Sequence, residues 1–477
     1  MNIPLIIVLL YIAVLFLISF WAEKRARGGV ENYVLAGRKL TTTLVTVSIV
    51  GLAVGGASTI GVSEQAYKVG LSAGWYTAAW GIGAICMGLL VAKKYRQLSI
   101  STIPELLERF YDRKGMVIGV FCQIIIQLVI TSLQYIAGGT ILHAMLPEIF
   151  SFTTGMLTSA AVFIGITFIG GMWSASLSNI LNVVLIYVGI VAATLVSVVQ
   201  HGGLGSVIAK LPPAVPYTSL IDGVGPMGII GWILVLVTVN LSLQSIIQIS
   251  LGAKDVATAQ RGFVLGGVIM LPIGFICALT GIIAKADYPN VSAAMALPLM
   301  IMSLNPILSG VTLAALWAAD ISTACNLLLS SATLFSQDIY KRMIHPTTTE
   351  KRLLLVTKGS VLILGALTLI LAMTVSGIIQ TIMIGLSLTA AFSVVVLFTL
   401  FTPGLCRKNS AFYTILGGLV TLILWQLVPS VRILPHVIYL EWVVCTVIFL
   451  LVYVLDSNPI KADAFLSPAA EKATDSI

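Results

Sequence analysis

Ser322 and Thr323 follow Ala319 by three and four residues inside an otherwise apolar stretch, 316–340. Positions i, i+3 and i+4 share one helical face. Two hydroxyls and a nearby backbone carbonyl on one face are hard oxygen ligands, suited to a weakly held alkali cation. The same hydroxyls can instead bond back to the carbonyl one turn earlier, and spacing alone leaves both readings open. The stretch also carries Asp320, Asn326, Ser330 and Ser331. Polar and ionisable groups at membrane depth are expensive and point to a use. Asp320 is read either as linked to transport or as a buried inter-helix hydrogen bond. Glu64 falls near a span end where water reaches it, and Glu441 reads as structural.

The elements that hold these residues are membrane spans. Of 477 residues 58% are hydrophobic and 9% charged, against about 25% charged in a soluble domain. At roughly 20 apolar residues per span, thirteen are expected: 3–21, 43–66, 71–92, 116–146, 154–172, 178–199, 226–251, 262–285, 308–334, 354–374, 377–401, 411–428 and 435–455. With the N-terminus outside, 22 of the 26 Lys and Arg fall on the inner side, leaving Lys68, Lys210, Lys285 and Arg432 outside. Positive residues gather on the cytoplasmic side, so the chain is read as a multi-pass inner-membrane protein, N-out and C-in. The net charge of +8 sits in short loops between spans and does not indicate nucleic acid. The four histidines lack metal-ligand spacing. The six cysteines lie in or beside apolar segments, so no disulfide is expected.

Two spans read as breakable. The second holds Gly51, Gly55, Gly56 and Gly61 within eleven residues, and each glycine costs a helix about 1 kcal/mol relative to Ala. The seventh opens at Gly223, Gly225 and Pro226 and later carries Asn240, Ser242, Gln244, Ser245 and Gln248. They lie five spans apart, so a second five-helix unit is inserted upside down relative to the first. Interrupted spans at matching places in inverted halves point to a secondary transporter with a mid-membrane site. The fourth span presents Gln123, Gln127, Thr131 and Gln134 along one stripe, which suits either a transport path or inter-helix bonding.

The chain resembles the sodium:solute symporter family. The likeness rests on Gly170-Gly171-Met172-Trp173-Ser174, on Gln244 and Gln248 with the following Ala253-Lys254-Asp255 and Arg261-Gly262, on Ala319, Ser322 and Thr323 with Asp338-Ile339-Tyr340 downstream, and on Glu31–Arg38. Ile249 departs, since Arg often stands there. The resemblance implies a LeuT-type fold, all-α, with two inverted five-helix repeats plus flanking helices. Carried over by position, it implies a sodium site formed by the carbonyls of Gly51, Val54 and Ala319 with the hydroxyls of Ser322 and Thr323. Some members hold a second sodium with an Asp on the fifth core helix. Asn179, Cys325 and Asn326 occupy the corresponding positions here, which implies one coupled sodium.

The expected divisions are 1–42, a first span and loop; 43–199, the first repeat; 200–225, an external loop; 226–401, the second repeat; 402–455, two further spans; and 456–477, a polar tail. Leu52, Gly55, Gly56, Gln134, Asn240 and Gln244, with Gly51, are the expected solute contacts. The expected function is sodium-coupled symport of a small polar or carboxylated solute by alternating access. Asp320 and Asn179 are candidates for coupling. The alternatives are a proton-coupled symporter using Asp320 and a solute sensor on a transporter fold. No nucleophile with a base, paired carboxylates or metal cluster suggests an enzyme. The expected partners are the solute, sodium and the lipid bilayer, with no obligate protein partner and no nucleic acid.

Overall fold

The computed structural model describes residues 3–98, 100–374 and 378–460. Of the tail at 456–477, residues 461–477 lie outside the described residues. Among the described residues, ten helices are long and apolar enough to cross a membrane, or up to twelve if each of two bent pairs counts as one span. In chain order they are α1 (Ile3–Ala26), the pair α2 (Thr42–Ala53) and α3 (Ala57–Val69), α4 (Leu71–Gln97), α5 (Arg113–Ala144) and α6 (Phe152–Gln200). Then come the pair α7 (Pro226–Ser242) and α8 (Gln244–Gly252), α9 (Val256–Asp287), α10 (Pro306–Ile344), α11 (Glu350–Ala372), α12 (Ile382–Phe401), α13 (Ser410–Leu427) and α14 (Val437–Leu455).

Local chemistry starts these helices. Thr41, Asp112, Ser151, Asp255, Asn305 and Thr349 each accept a backbone N–H at a helix N-terminus, worth about 1 kcal/mol apiece. Interruptions come from glycine and from polar residues. The α2/α3 pair bends by 57° and the α7/α8 pair by 50°.

The expected loop between spans at 172 and 178 is absent, because α6 runs helically for 49 residues. At 1.5 Å per residue that is about 73 Å, more than twice a hydrocarbon core of about 30 Å. One residue divides it: Gly171 takes φ 52°, ψ −134°. A side chain there would be strained and would also overlap the main chain of Tyr33.

α10 is the hub. It packs against α6, α5, α1, α11 and α2, and 83% of its apolar stretch is buried, against 28% for α1 and 33% for α14. One end of the bundle gathers the basic residues. Arg38 donates to the carbonyls of Ile100 and Leu251, Arg96 to Ala253, and Arg342 pairs with Glu105 and Glu108 at 2.8 Å. At the opposite end His201 Nε2 meets Asp287 Oδ1 at 2.6 Å, and the carbonyl of Tyr217 accepts from Leu71 N. All six cysteines are free.

Candidate functional site

The first helix break supplies the site. α2 ends at Ala53, and Val54 leaves helical geometry at φ −90°, ψ 63°. The last carbonyls of a helix have no partner within it. Ser58 Oγ takes the Ala53 carbonyl at 2.6 Å, while those of Gly51 and Leu52 face α10. There Ser322 Oγ lies 2.6 Å from Gly51 O and 2.8 Å from Ala319 O. Thr323 Oγ1 lies 3.1 Å from Gly51 O, 2.9 Å from Leu52 O and 3.2 Å from Ala319 O. Five oxygens thus converge, and the two hydroxyls bring only one proton each. The C-terminal end of α2 adds its partial negative charge. The set has the donor chemistry to hold a small hard cation.

Back-bonding and inter-helix bonding therefore coexist, since both hydroxyls reach Ala319 on their own helix and also cross to α2. Among the described residues their hydrogen bonds run to Gly51, Leu52 and Ala319, not to Val54. The Val54 N–H closes the last turn of α2 on Val50 O at 2.8 Å, a bond that does not involve the Val54 carbonyl. Asn179 lies against Gly51, where an added Cβ would come within 2.7 Å of the Asn179 amide. Asn182 bonds Asn179 at 3.2 Å, and Tyr11 bonds Asn182 at 2.8 Å. A relay of neutral amides thus stands behind the five oxygens.

Gly55 and Gly56 sit in a cradle. A Cβ on Gly55 would overlap Thr323 Oγ1, and one on Gly56 would overlap Asp320 Oδ1 and stand 2.7 Å from Ala137 Cβ. Gln134 Oε1 accepts the Gly56 N–H at 2.9 Å. Asp320 is fully buried, and among the described residues neither carboxylate oxygen makes a well-formed hydrogen bond. It lies near the N-terminal end of α3, the end that favours an anion.

Beside the oxygens is a narrow cavity of about 10 Å³, room for about one water molecule. Leu52, Gly55, Gln134 and Thr323 line it, and so do Tyr76, Trp80 and Ile130. The phenol of Tyr76 and the indole N–H of Trp80 are buried beside each other without a well-formed hydrogen bond. They escaped the sequence reading; the only signal was aromatic residues four apart in apolar α4.

Asn240 and Gln244 are elsewhere. Asn240 packs on Gly83 of α4 and donates to Leu236 O at 2.8 Å. Gln244 Oε1 accepts from Ile103 N at 2.8 Å, and its Nε2 donates to Ser101 O at 3.2 Å. Gln123 crosses the second break, donating to Ser242 O at 2.9 Å and accepting from Gln244 N at 3.2 Å.

The profile of the sodium:solute symporter family matches residues 33–418. The chain belongs to the sodium:solute symporter family. It is 27% identical over 417 residues to a sodium/glucose cotransporter of Vibrio parahaemolyticus, covering 79% of this chain and 76% of that one. It is 24% identical over 433 residues to the high-affinity proline transporter PutP of Bacillus subtilis (strain 168), covering 86% and 89%. A solved structure of a Na+-coupled sialic acid symporter, substrate-bound and outward-open, superposes with a TM-score of 0.82 at 16% identity, covering 96% of this chain and 99% of that one. The fold is LeuT-type, as expected. The relatives are transporters by name, not enzymes.

Proposed function

We propose that this protein is a secondary transporter that carries a small polar or carboxylated organic solute into the cell with one sodium ion. The five oxygens of Gly51, Leu52, Ala319, Ser322 and Thr323 carry this reading. They join a broken span of one repeat to a helix of the other, so an ion held there ties the two repeats together. The repeats are 43–199 and 226–401, and α6, divided at Gly171, counts as two of thirteen spans. The basic end of the bundle is cytoplasmic, with the N-terminus outside, in the inner membrane.

Asn179 places no carboxylate at the position where some members hold a second ion, which supports a single sodium. The solute binds beside the ion where this cavity, closed here to about one water, widens in the alternating cycle. Gln134, Trp80 and Tyr76 offer it polar contacts, and Leu52 and Ile130 offer apolar ones. Gln134 already engages the Gly56 N–H, so a solute carboxylate is better served by the Trp80 and Tyr76 donors than by the helix break.

Coupling is reciprocal: sodium tightens solute binding as much as solute tightens sodium binding. One charge crossing 100 mV releases about 2.3 kcal/mol, and a tenfold sodium gradient adds about 1.4 kcal/mol. Together, about 3.7 kcal/mol holds a neutral solute near 500-fold accumulation. A second reading, proton-coupled symport, rests on the buried carboxylate of Asp320 beside the first break. Uptake of candidate sugars, amino acids and short carboxylates into right-side-out vesicles, with sodium and proton gradients imposed separately, tests both. Sodium alone is expected to drive uptake. Accumulation driven by protons and indifferent to sodium would overturn the sodium reading.

A further inference from the structure

α5 and α10 run antiparallel, and their polar residues meet along a single seam. On α10, Thr323, Asn326, Ser330 and Thr333 recur at steps of three and four, which keeps them on one face, and all are buried. Their counterparts on α5 are spaced in step. Gln134 crowds Gly55 together with Thr323, and seven residues away on each helix Gln127 Oε1 accepts from Ser330 Oγ. The seam begins at the candidate sodium site and descends about 15 Å to Thr333. There Gln248 of the inner half-helix α8 donates to Thr333 Oγ1 at 3.1 Å and to Val34 O at 2.6 Å. Val34 lines an open groove at the basic end, shared with Gln337 and Lys341, the next residues down the same face of α10.

Inter-helix bonding alone would leave donors and acceptors matched, and here they are not. Asn326 spends its amide N–H on Ser322 O, and Gln248 spends its own on Thr333 and Val34. Among the described residues the carbonyl oxygens Asn326 Oδ1 and Gln248 Oε1 are buried with no donor. The surplus is of acceptors, which is what a dehydrated cation needs and an anion does not.

We infer that the seam between α5 and α10 is the route by which sodium leaves its site toward the basic end, with Gln127 and Ser330 as a way-station and the Gln248–Thr333 contact as the inner gate. This rests on the sodium reading above. It gives the second glutamine of the Gln244/Gln248 pair a task at the inner end of the path, away from the solute cavity.

Thiol accessibility tests it. Ser330→Cys is compared with Leu328→Cys, a position on the same helix that packs among Val120, Ile124 and Leu364. Inside-out vesicles receive a membrane-impermeant cationic methanethiosulfonate, and wild type gives the background of the native cysteines. Ser330→Cys is expected to label about ten-fold faster than Leu328→Cys, faster with the cationic reagent than with its anionic counterpart, and more slowly in sodium. Adding Gln248→Leu is expected to raise the Ser330→Cys rate about ten-fold. Should Ser330→Cys not insert, Asn326→Cys, on the same face of α10 and clear of the Gln248–Thr333 contact, carries the same outcomes. Equal, slow labelling of both cysteines while wild-type sodium-driven uptake is intact overturns the route and spares the transport reading. Rapid cationic labelling with no sodium-driven uptake of any solute spares the route and overturns the transport reading.

Discussion

The two helix breaks differ in what they leave free. At Val54–Gly56 the chain uncoils among glycines; Gln134 takes the Gly56 N–H and Ser58 the Ala53 carbonyl, but among the described residues the carbonyls of Gly51 and Leu52 meet only two hydroxyls of another helix. At Leu243 the chain uncoils without glycine, at φ −77°, ψ 129°. There Gln123 satisfies both sides of the gap, and Gln244 clasps residues 101 and 103. One break presents oxygens and the other is sutured. Interruption by itself therefore does not make a binding site. What matters is whether neighbouring side chains consume the freed backbone groups.

The largest effect should come from the first break. Ser322→Ala combined with Thr323→Ala removes two of five oxygens, and sodium-stimulated uptake should fall by at least about 100-fold while the protein still inserts. That is about 2.7 kcal/mol, and sodium titration of initial uptake rates reads it. Unchanged sodium dependence would dissolve the contrast. Gly56→Ala forces a methyl group against Asp320 and Ala137. Overpacking costs about 1–3 kcal/mol, so uptake should drop about ten-fold or more at saturating sodium.

At the sutured break, Gln123→Leu strands the Ser242 carbonyl and the Gln244 N–H. Thermal unfolding should show a loss of about 2 kcal/mol, with the sodium concentration for half-maximal uptake unmoved. A shifted sodium requirement would make the second break part of the ion site.

The smallest effect lies far from both breaks. His201 sits at the end opposite the basic one, its pKa raised above the ordinary 6.5 by the bond to the Ser197 carbonyl and then by Asp287. A folded-state pKa above the unfolded one adds stability that is fully present below the unfolded pKa and fades as pH rises through the folded value. Raising pH from 6 to 9 should lower the melting temperature by about 2 °C or less in wild type and should not do so in His201→Gln.

Much of this arrangement was legible in the residues. The i, i+3, i+4 pattern of Ala319, Ser322 and Thr323 marked a hydroxyl-bearing face, while spacing alone left bonding within its own helix equally open. The glycines of the second span marked the break, and the stripe of Gln123, Gln127, Thr131 and Gln134 marked the polar side of α5, from which Gln123 meets the second break, Gln127 meets α10 and Gln134 meets the first break. Less was legible where a side chain's partner lies far off in sequence. Asn240 and Gln244 look like pocket residues by pseudo-symmetry, yet a half-helix as short as α8 needs anchoring, and Gln244 is spent on that. Tyr76 and Trp80 are indistinguishable in sequence from packing residues of an apolar span. The turn at Gly171 was hidden because a single positive-φ residue did the work of an expected loop.

Gly56 and Asp320 share one small volume, and this binds their histories together. A larger residue at 56 can be accommodated only after the side chain at 320 has shrunk or withdrawn, so substitution at either position opens or closes the door for the other. Among kindred chains the two sites should change in step, and a lineage that abandons the acid should be the one in which the glycine is released.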